Sequence, residues 1–423
     1  MPGEVEKFRV LSEFVARELS RAIQYEYRPG YLNESEPGRW TEASCKEDSY
    51  LLSLGPQHPS THGVLRLELM MEGELVKACE PHIGYLHRCF EKHAEALPFN
   101  QLIPYVDRMD YLAAMNSEHV YAMALEKAMG IENQLSPRVE YIRILTAELN
   151  RIASHFVALG TYGIDLGAFT PFLWMMRDRE HILRLLEWAS GARMLYNFIW
   201  IGGLFYDLPP GFEDKVEEFL NYLEPKLDEM EAILLNNEIF IARTAGIGVI
   251  SRALAVNAGI TGPMLRAAGI RKDLRKTKGY SLYSSLDFEV PVGKGEKGMT
   301  GDCWDRTWVR FSECRESVKI IRQCLHFLRK EFARNPGFNP QKDCPKKVMP
   351  PEGEYYFVGE TPRGDLAFYF TCTGRSDVPL RLKARTPSFC NLSALPLMSE
   401  NVLLADLIAI VGSLDLVMGE VDR

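Results

Sequence analysis

Residues 136–160 read SPRVEYIRILTAELNRIASHFVALG. Ser136 and Pro137 form a helix start signal: a hydroxyl suited to the N-cap, then a proline where its missing N–H is not needed. Val139, Ile142, Leu145, Leu149, Ile152 and Phe156 follow at three- and four-residue intervals, one apolar stripe of helical period, and Gly160 is the expected stop. Thr170-Pro171 repeats the start signal for a helix running to Gly191. A third helical stretch, Phe212–Leu235, contains Pro225, which predicts a kink or a break. The last long helix spans about Asp302–Phe332, with Val318, Ile321, Leu325, Leu328 and Phe332 as its stripe; between these helices Leu282–Val292 reads as extended.

On both sides of this bundle the period changes from helical to two. Leu65, Leu67, Leu69 and Met71 alternate with Arg66, Glu68 and Met70, and Glu72-Gly73-Glu74 reads as a turn into a second strand reaching Glu80. Beyond the Pro/Gly-rich stretch 335–351, Tyr355–Val358, Leu366–Cys372 and Leu380–Ala384 read as strands, and Val402–Val411 as a short apolar helix. Strands, helices, then strands describe an α+β fold, a central helical bundle flanked by small, mostly antiparallel sheets from the two ends of the chain. The expected divisions are an N-terminal extension at 1–48 (a helix with its stripe on Val5, Phe8, Leu11, Val15, Leu19 and Ile23, then a linker), a β subdomain at 49–106, the bundle at 107–334, and a C-terminal β region and tail at 335–423.

With 423 residues, 46% of them hydrophobic and 25% charged, the chain reads as ordinary globular protein with room for a large core. Its 49 Lys+Arg against 57 Asp+Glu give a net charge of -8, a poor composition for a nucleic-acid binder. No apolar run reaches the ~18–20 residues needed to cross a bilayer. The opening MPGEVEKFRV lacks the basic and apolar regions of a secretory signal. Nine scattered cysteines, never in a C-x-x-C pair, read as free thiols, mostly buried, in a reducing compartment.

Few motifs carry chemistry by themselves. Gly293, Gly295 and Gly298 spell the dinucleotide pattern G-x-G-x-x-G, but no helix can begin within it before about Asp302, so it reads as a loop. The basic stretch 266–278, with six Lys/Arg and one Asp, reads as a solvated face or a subunit contact. His58 and His62 are four apart, yet Pro59 removes the helix that would make them a ligand pair. Taken alone, His62 is a loop residue, Tyr111 a helix-face aromatic and Asp165 a cap or ion-pair residue.

The motifs taken together say more. Gly55–Leu67 (GPQHPSTHGVLRL), Arg108–Leu112 (RMDYL), Asp165–Phe172 (DLGAFTPF), Ser190–Met194 (SGARM) and Gly419–Arg423 (GEVDR) occur in one order. From about Ser49 onward the chain resembles the D subunit of the proton-pumping NADH:quinone oxidoreductase, respiratory complex I. That family is related to the large subunit of nickel–iron hydrogenases, and so implies a hydrogenase large-subunit-like fold. Hydrogenases hold their metal with R-x-C-G-x-C and D-P-C-x-x-C motifs. Matching Arg108 and Asp415 to those motifs puts Asp110, Ala113, Val417 and Glu420 at the four cysteine positions. With no thiolate left, soft ligation of nickel is lost, which argues against the rival reading, the large subunit of a membrane-bound energy-converting hydrogenase. A non-catalytic scaffold subunit is the other rival.

The resemblance implies that the former metal cavity takes a quinone headgroup, reduced by two electrons and two protons. By the same resemblance His62 and Tyr111 are the quinone-binding proton donors, groups that titrate near ~6.5 and ~10 and so carry a proton at neutral pH. Asp165 orients the His62 imidazole, and Arg88, after His87, lies near the terminal iron–sulfur cluster of a neighbouring subunit. NADH, FMN and the iron–sulfur clusters belong to partner subunits, and this chain binds no metal. The B, C, I and H subunits are the implied partners, with the chain peripheral on the cytoplasmic side of the bacterial inner membrane. Two positions depart from the family pattern: Leu195 stands where many members have a histidine after S-G-x-R-M, and Trp200 replaces a common arginine. The loop 293–298 resembles an insertion and the segment 335–351 is shorter than usual.

Overall fold

The computed structural model describes residues 49–58, 61, 63–333 and 338–423. The expected helix and linker within 1–48 lie outside the described residues. The chain divides into two units, residues 1–51 and 52–423; of the first only Ser49–Leu51 is described. The architecture is α+β, as the sequence predicts.

Five long helices form the bundle: α1 (Ala114–Met129), α2 (Pro137–Asp165), α3 (Phe169–Ser190), α4 (Phe212–Ile233) and α5 (Cys303–Lys330). Helix α2 is its axis, packed against α1, α3, α5 and a shorter helix, α6 (Leu404–Ser413). It runs past Gly160, the expected stop, to Asp165. The missing side chain of Gly160 lets α3 close in: a Cβ there would lie 3.3 Å from the Phe172 Cα. Pro225 likewise does not break α4. It sits on the solvent face, so the carbonyl it leaves unpaired is open to water, while Phe219, Leu220, Leu223, Leu227 and Met230 pin the opposite face. Asp302 caps α5 by accepting from the Asp305 amide at 2.8 Å. Leu282–Val292 joins no ladder; it holds one turn of 3-10 helix, Tyr283–Ser285, then irregular chain.

The first sheet orders β1 (Ser49–Leu54), β2 (Arg66–Glu72), β3 (Leu75–His82) and β7 (Val402–Leu403). Strands β2 and β3 pair antiparallel from Arg66↔His82 to Glu72↔Leu75 with Leu67, Leu69 and Met71 turned to the core. Val402 reads as helix in the sequence but is a strand residue, opposite Val76, and the helix begins at Leu404. Beside a two-stranded ladder of Ile199–Trp200 with Gly203–Leu204, a three-stranded sheet is built from β4 (Gly353–Thr361), β5 (Gly364–Cys372) and β6 (Arg381–Arg385). The β4–β5 register closes at Thr361↔Gly364, leaving Pro362 and Arg363 as a two-residue turn. Glycine in β4 again permits close approach: a Cβ on Gly359 would meet the Val120 side chain of α1 at 2.6 Å. After α6 the chain turns through Leu414–Val417 into a last short helix, α7 (Met418–Asp422), and every residue from Ala409 to Asp422 is buried.

Candidate active site

Tyr111 is not on a bundle helix, as expected, but in the turn three residues ahead of α1. Asp110 makes the turn: its Oδ1 accepts from the Leu112 amide at 3.3 Å, a local bond that competes with helix. Asn150 of α2 clamps it, donating to the Leu112 carbonyl (3.1 Å) and accepting from the Met115 amide (3.0 Å). The Tyr111 ring is half-buried, and burial lifts its phenol above the usual value while the Arg363 guanidinium pulls it back.

Behind that turn lies a cluster that the sequence does not announce. Arg363, at the tip of the β4–β5 turn, is buried and donates from Nη1 to both oxygens of Asp110 (3.0 and 2.7 Å) and to Ser154 Oγ (3.1 Å). Its Nη2 donates to Asp415 Oδ1 (3.1 Å) and its Nε to the Asp415 carbonyl (3.1 Å). A guanidinium fork suits this arrangement, since one planar cation serves two carboxylates. Burial still lifts the Asp110 carboxyl above the usual range. Glu420 joins the cluster from α7. Its Oε2 accepts from the Ser388 amide (3.2 Å) and from the Ser388 hydroxyl, and burial together with the Asp110 charge pushes its pKa up to about 8. Asp110 and Glu420 therefore act on one another, while Ala113 and Val417 are buried apolar residues.

Asp165 closes α2 on the other side of the C-terminal segment. It packs against Gly412 of α6, where a Cβ would lie 2.8 Å from Asp165 Oδ2 and 2.7 Å from the Tyr162 ring. Burial pushes the Asp165 pKa up to about 7. One residue on, Ser413 accepts from Arg306 Nε at its hydroxyl (2.9 Å) and from Arg310 Nη1 at its carbonyl (2.8 Å). Residues 412–420 thus touch Asp165 at one end and the cluster behind Tyr111 at the other. His62 lies outside the described residues; of its neighbours, buried Thr61 donates from Oγ1 to the His58 carbonyl (2.9 Å), and the Gly63 carbonyl accepts from the Gln57 amide (2.9 Å).

Arg88 belongs to the same neighbourhood. Its Nη2 donates to the Arg108 carbonyl at 2.5 Å, at the start of the Tyr111 turn, and only glycine at 419 leaves it room. The loop around it is tied to α7: Asp422 accepts from the Gly84 (2.8 Å) and Leu86 (2.7 Å) amides, and the Asp422 carbonyl accepts from His87 Nδ1 (2.7 Å). Leu195 adopts a left-handed φ of 59°, and Trp200 donates from Nε1 to the Asn197 carbonyl (3.1 Å). Glu118 holds that segment from below, accepting from the Phe198 (2.8 Å) and Ile199 (2.6 Å) amides.

Two motifs resolve differently from phosphate and surface sites. The Gly293–Gly301 loop spends its amides on the chain's own carboxylates. Asp305 Oδ2 accepts from Gly295 (2.9 Å) and Gly301 (3.3 Å), and Asp302 Oδ2 accepts from Met299 (2.9 Å). Those donors cannot also cradle a phosphate. The basic stretch 266–278 is not simply a solvated face. Arg266 and Arg275 are buried, Arg266 paired with Glu313 (2.7 Å) and Glu360 (2.8 Å), and Arg275 with Asp273 (2.6 Å) and Glu148 (3.1 Å). Apart from Asp273, the acids that neutralise them, Glu148, Glu313 and Glu360, come from other segments, a pairing that local sequence does not display. Among the described residues no group of three or more His, Cys, Asp or Glu is arranged to hold a metal ion, and no helix is long and apolar enough to cross a membrane.

Comparison with known proteins fixes the family. A family profile described as the 49 Kd subunit of respiratory-chain NADH dehydrogenase matches residues 165–423. The NADH-quinone oxidoreductase D subunit 1 of Cytophaga hutchinsonii is 61% identical over 392 residues, covering 93% of this chain and 100% of that protein. The D subunit of Amoebophilus asiaticus is 57% identical over 398 residues (94% and 99%), and that of Chlorobaculum tepidum 53% over 382 residues (90% and 94%). The chain belongs to the family of NADH-quinone oxidoreductase D subunits, the 49 Kd subunit of the respiratory-chain NADH dehydrogenase, and is a member of that multi-subunit complex.

Proposed function

We propose that this chain forms, with the B subunit, the site at which a quinone is reduced, and that Tyr111 and His62 hydrogen-bond its two carbonyl oxygens and supply the protons. The reaction takes up two electrons and two protons. The electrons come from a terminal iron–sulfur cluster in the B subunit, and ultimately from NADH through FMN and clusters in other subunits. The protons reach the oxygens through groups that can be refilled. The carrying observation is the setting of Tyr111: a half-buried phenol backed by the Arg363 guanidinium. A cation there favours the phenolate left behind when the proton departs.

Asp165 orients and charges the His62 imidazole. A carboxyl pushed up to about 7 changes its protonation easily near neutral pH, so loss of the His62 proton alters the charge at the end of α2. That change starts the relay to proton translocation. Arg88, a cation against the Tyr111 turn, lies toward the neighbouring cluster and favours its reduced state. The C, I and H subunits complete the surroundings, and the quinone enters from the membrane through the H subunit, with this chain peripheral on the cytoplasmic side of the bacterial inner membrane.

Two substitutions test this in the assembled complex. Tyr111→Phe is expected to lower quinone reduction by about a hundredfold or more, the lower range for a lost general acid, and to weaken binding of a quinone-site inhibitor, while electron transfer from NADH to an artificial acceptor persists. Full quinone reduction in Tyr111→Phe contradicts the site. Asp165→Asn is expected to lower protons pumped per electron; an unchanged ratio removes Asp165 from the relay.

A further inference from the structure

Each proton that Tyr111 gives a quinone leaves a phenolate, and the quinone reading, on which this inference rests, names no group that refills it. Glu420 fits that task by placement. It is 1% exposed, its Oε2 takes both hydrogen bonds from Ser388, and its Oε1 has no hydrogen-bond partner among the described residues. Helix α7, which carries it, lies directly against the Tyr111 turn: a Cβ on the adjacent Gly419 would sit 2.9 Å from the Met109 carbonyl oxygen.

The charged and titratable groups that act on Glu420 can be named by element. Asp110 faces it from the Tyr111 turn and Arg363 from the β4–β5 turn, while Cys390 lies on the short helix Pro387–Leu392 that also carries Ser388. Arg363 spends all three of its nitrogens on Asp110, Asp415 and Ser154, so none of them is bonded to Glu420. A buried carboxyl without a paired cation keeps its proton.

We propose that Glu420 holds the proton that replaces the one Tyr111 donates, passing it over Asp110. In the transfer the Glu420 O–H breaks and Asp110 gains an O–H. That proton then moves to the Tyr111 phenolate, restoring the phenol and leaving Glu420 ionised until water refills it. No electrons move in these steps. The Glu420 proton is held below a pH of about 8 and lost above it. Refilling therefore fails as pH rises, and quinone reduction falls about tenfold per pH unit above that point.

The test measures reduction of a short-chain benzoquinone by the assembled complex against pH, divided at each pH by reduction of an artificial acceptor that bypasses the quinone site. Glu420→Gln keeps the contact with Ser388 and carries no transferable proton; its rate is expected to drop about tenfold or more and to lose the alkaline fall. Ser388→Ala removes a bond that favours the Glu420 carboxylate, so the fall is expected to move to higher pH, which a merely structural residue does not predict. An alkaline fall kept in Glu420→Gln, or unmoved in Ser388→Ala, overturns the assignment; if Glu420→Gln does not assemble, Ser388→Ala decides alone. Tyr111→Phe measured beside them separates the two readings. Full quinone reduction there overturns the site itself, whereas loss there with unaltered Glu420 and Ser388 profiles overturns only the proton supply.

Discussion

Truncating Arg363 would strand buried Asp110 and leave Asp415 with Arg310 alone, 3.8 Å away. Breaking a buried pair from one side costs about 3–5 kcal/mol, so Arg363→Met is expected to deplete the assembled complex on native gels and to speed its thermal inactivation. Arg363→Lys should rescue little, because an ammonium cannot serve both acids at once. The motifs single out Asp110 and Asp415, but nothing in the sequence pairs them with Arg363. Tyr111 and Asp165 were legible only as members of a motif set; their burial and the shift of Asp165 arise from segments far along the chain. The resemblance sets Leu195 where many members have a histidine, and a leucine accepts no proton. The potential of the neighbouring cluster is therefore expected to vary little with pH; a slope near ~59 mV per pH unit, one proton per electron, in a redox titration contradicts this.

Glycines decide how the elements meet. Gly160 reads as a helix stop because glycine is a poor helix former, but here it is a contact point that lets α3 lie against α2. Periodicity finds a helix; it does not reveal whether an interior glycine ends it or admits a neighbour. Pro225 is the same lesson with the other breaker, harmless because water reaches the freed carbonyl. The Gly293–Gly298 pattern reads as a loop rather than a nucleotide site, since its helix starts too late. The structure adds the reason, acids already occupying its amides. Gly412 is where an element-scale change should reach the chemistry. Gly412→Ala gains about 1 kcal/mol of helix propensity but forces a methyl against Tyr162 and Asp165, an overpacking worth about 1–3 kcal/mol. The helix is expected to survive, as judged by assembly, while quinone turnover falls and its pH profile shifts because Asp165 has been moved.

At the scale of the molecule, the order strands, helices, strands was readable from hydrophobic period alone, and so was the α+β class. What period cannot supply is long-range pairing: Val76 opposite Val402, and a C-terminal segment carried into the middle of the bundle. That segment is what joins the parts of the proposed site. Gly412 lies against Asp165, Asp415 and Glu420 belong to the cluster behind Tyr111, and Asp422 ties down the loop that carries Arg88. The Asp422 carboxylate answers two backbone amides, and a hydrogen bond to a charged group contributes about 1.5–3 kcal/mol. Deleting Asp422 and Arg423 removes both of those bonds and also the acceptor for His87, while leaving Glu420 in the chain. The deletion is expected to cost about 3 kcal/mol or more and to free the 84–88 loop, lowering the amount of assembled complex several-fold on native gels. In the complex that does assemble, quinone reduction should fall further than electron transfer from NADH to an artificial acceptor, because Arg88 and the Tyr111 turn have lost their shared support. An equal fall in both activities would mean that the C-terminal residues serve assembly alone.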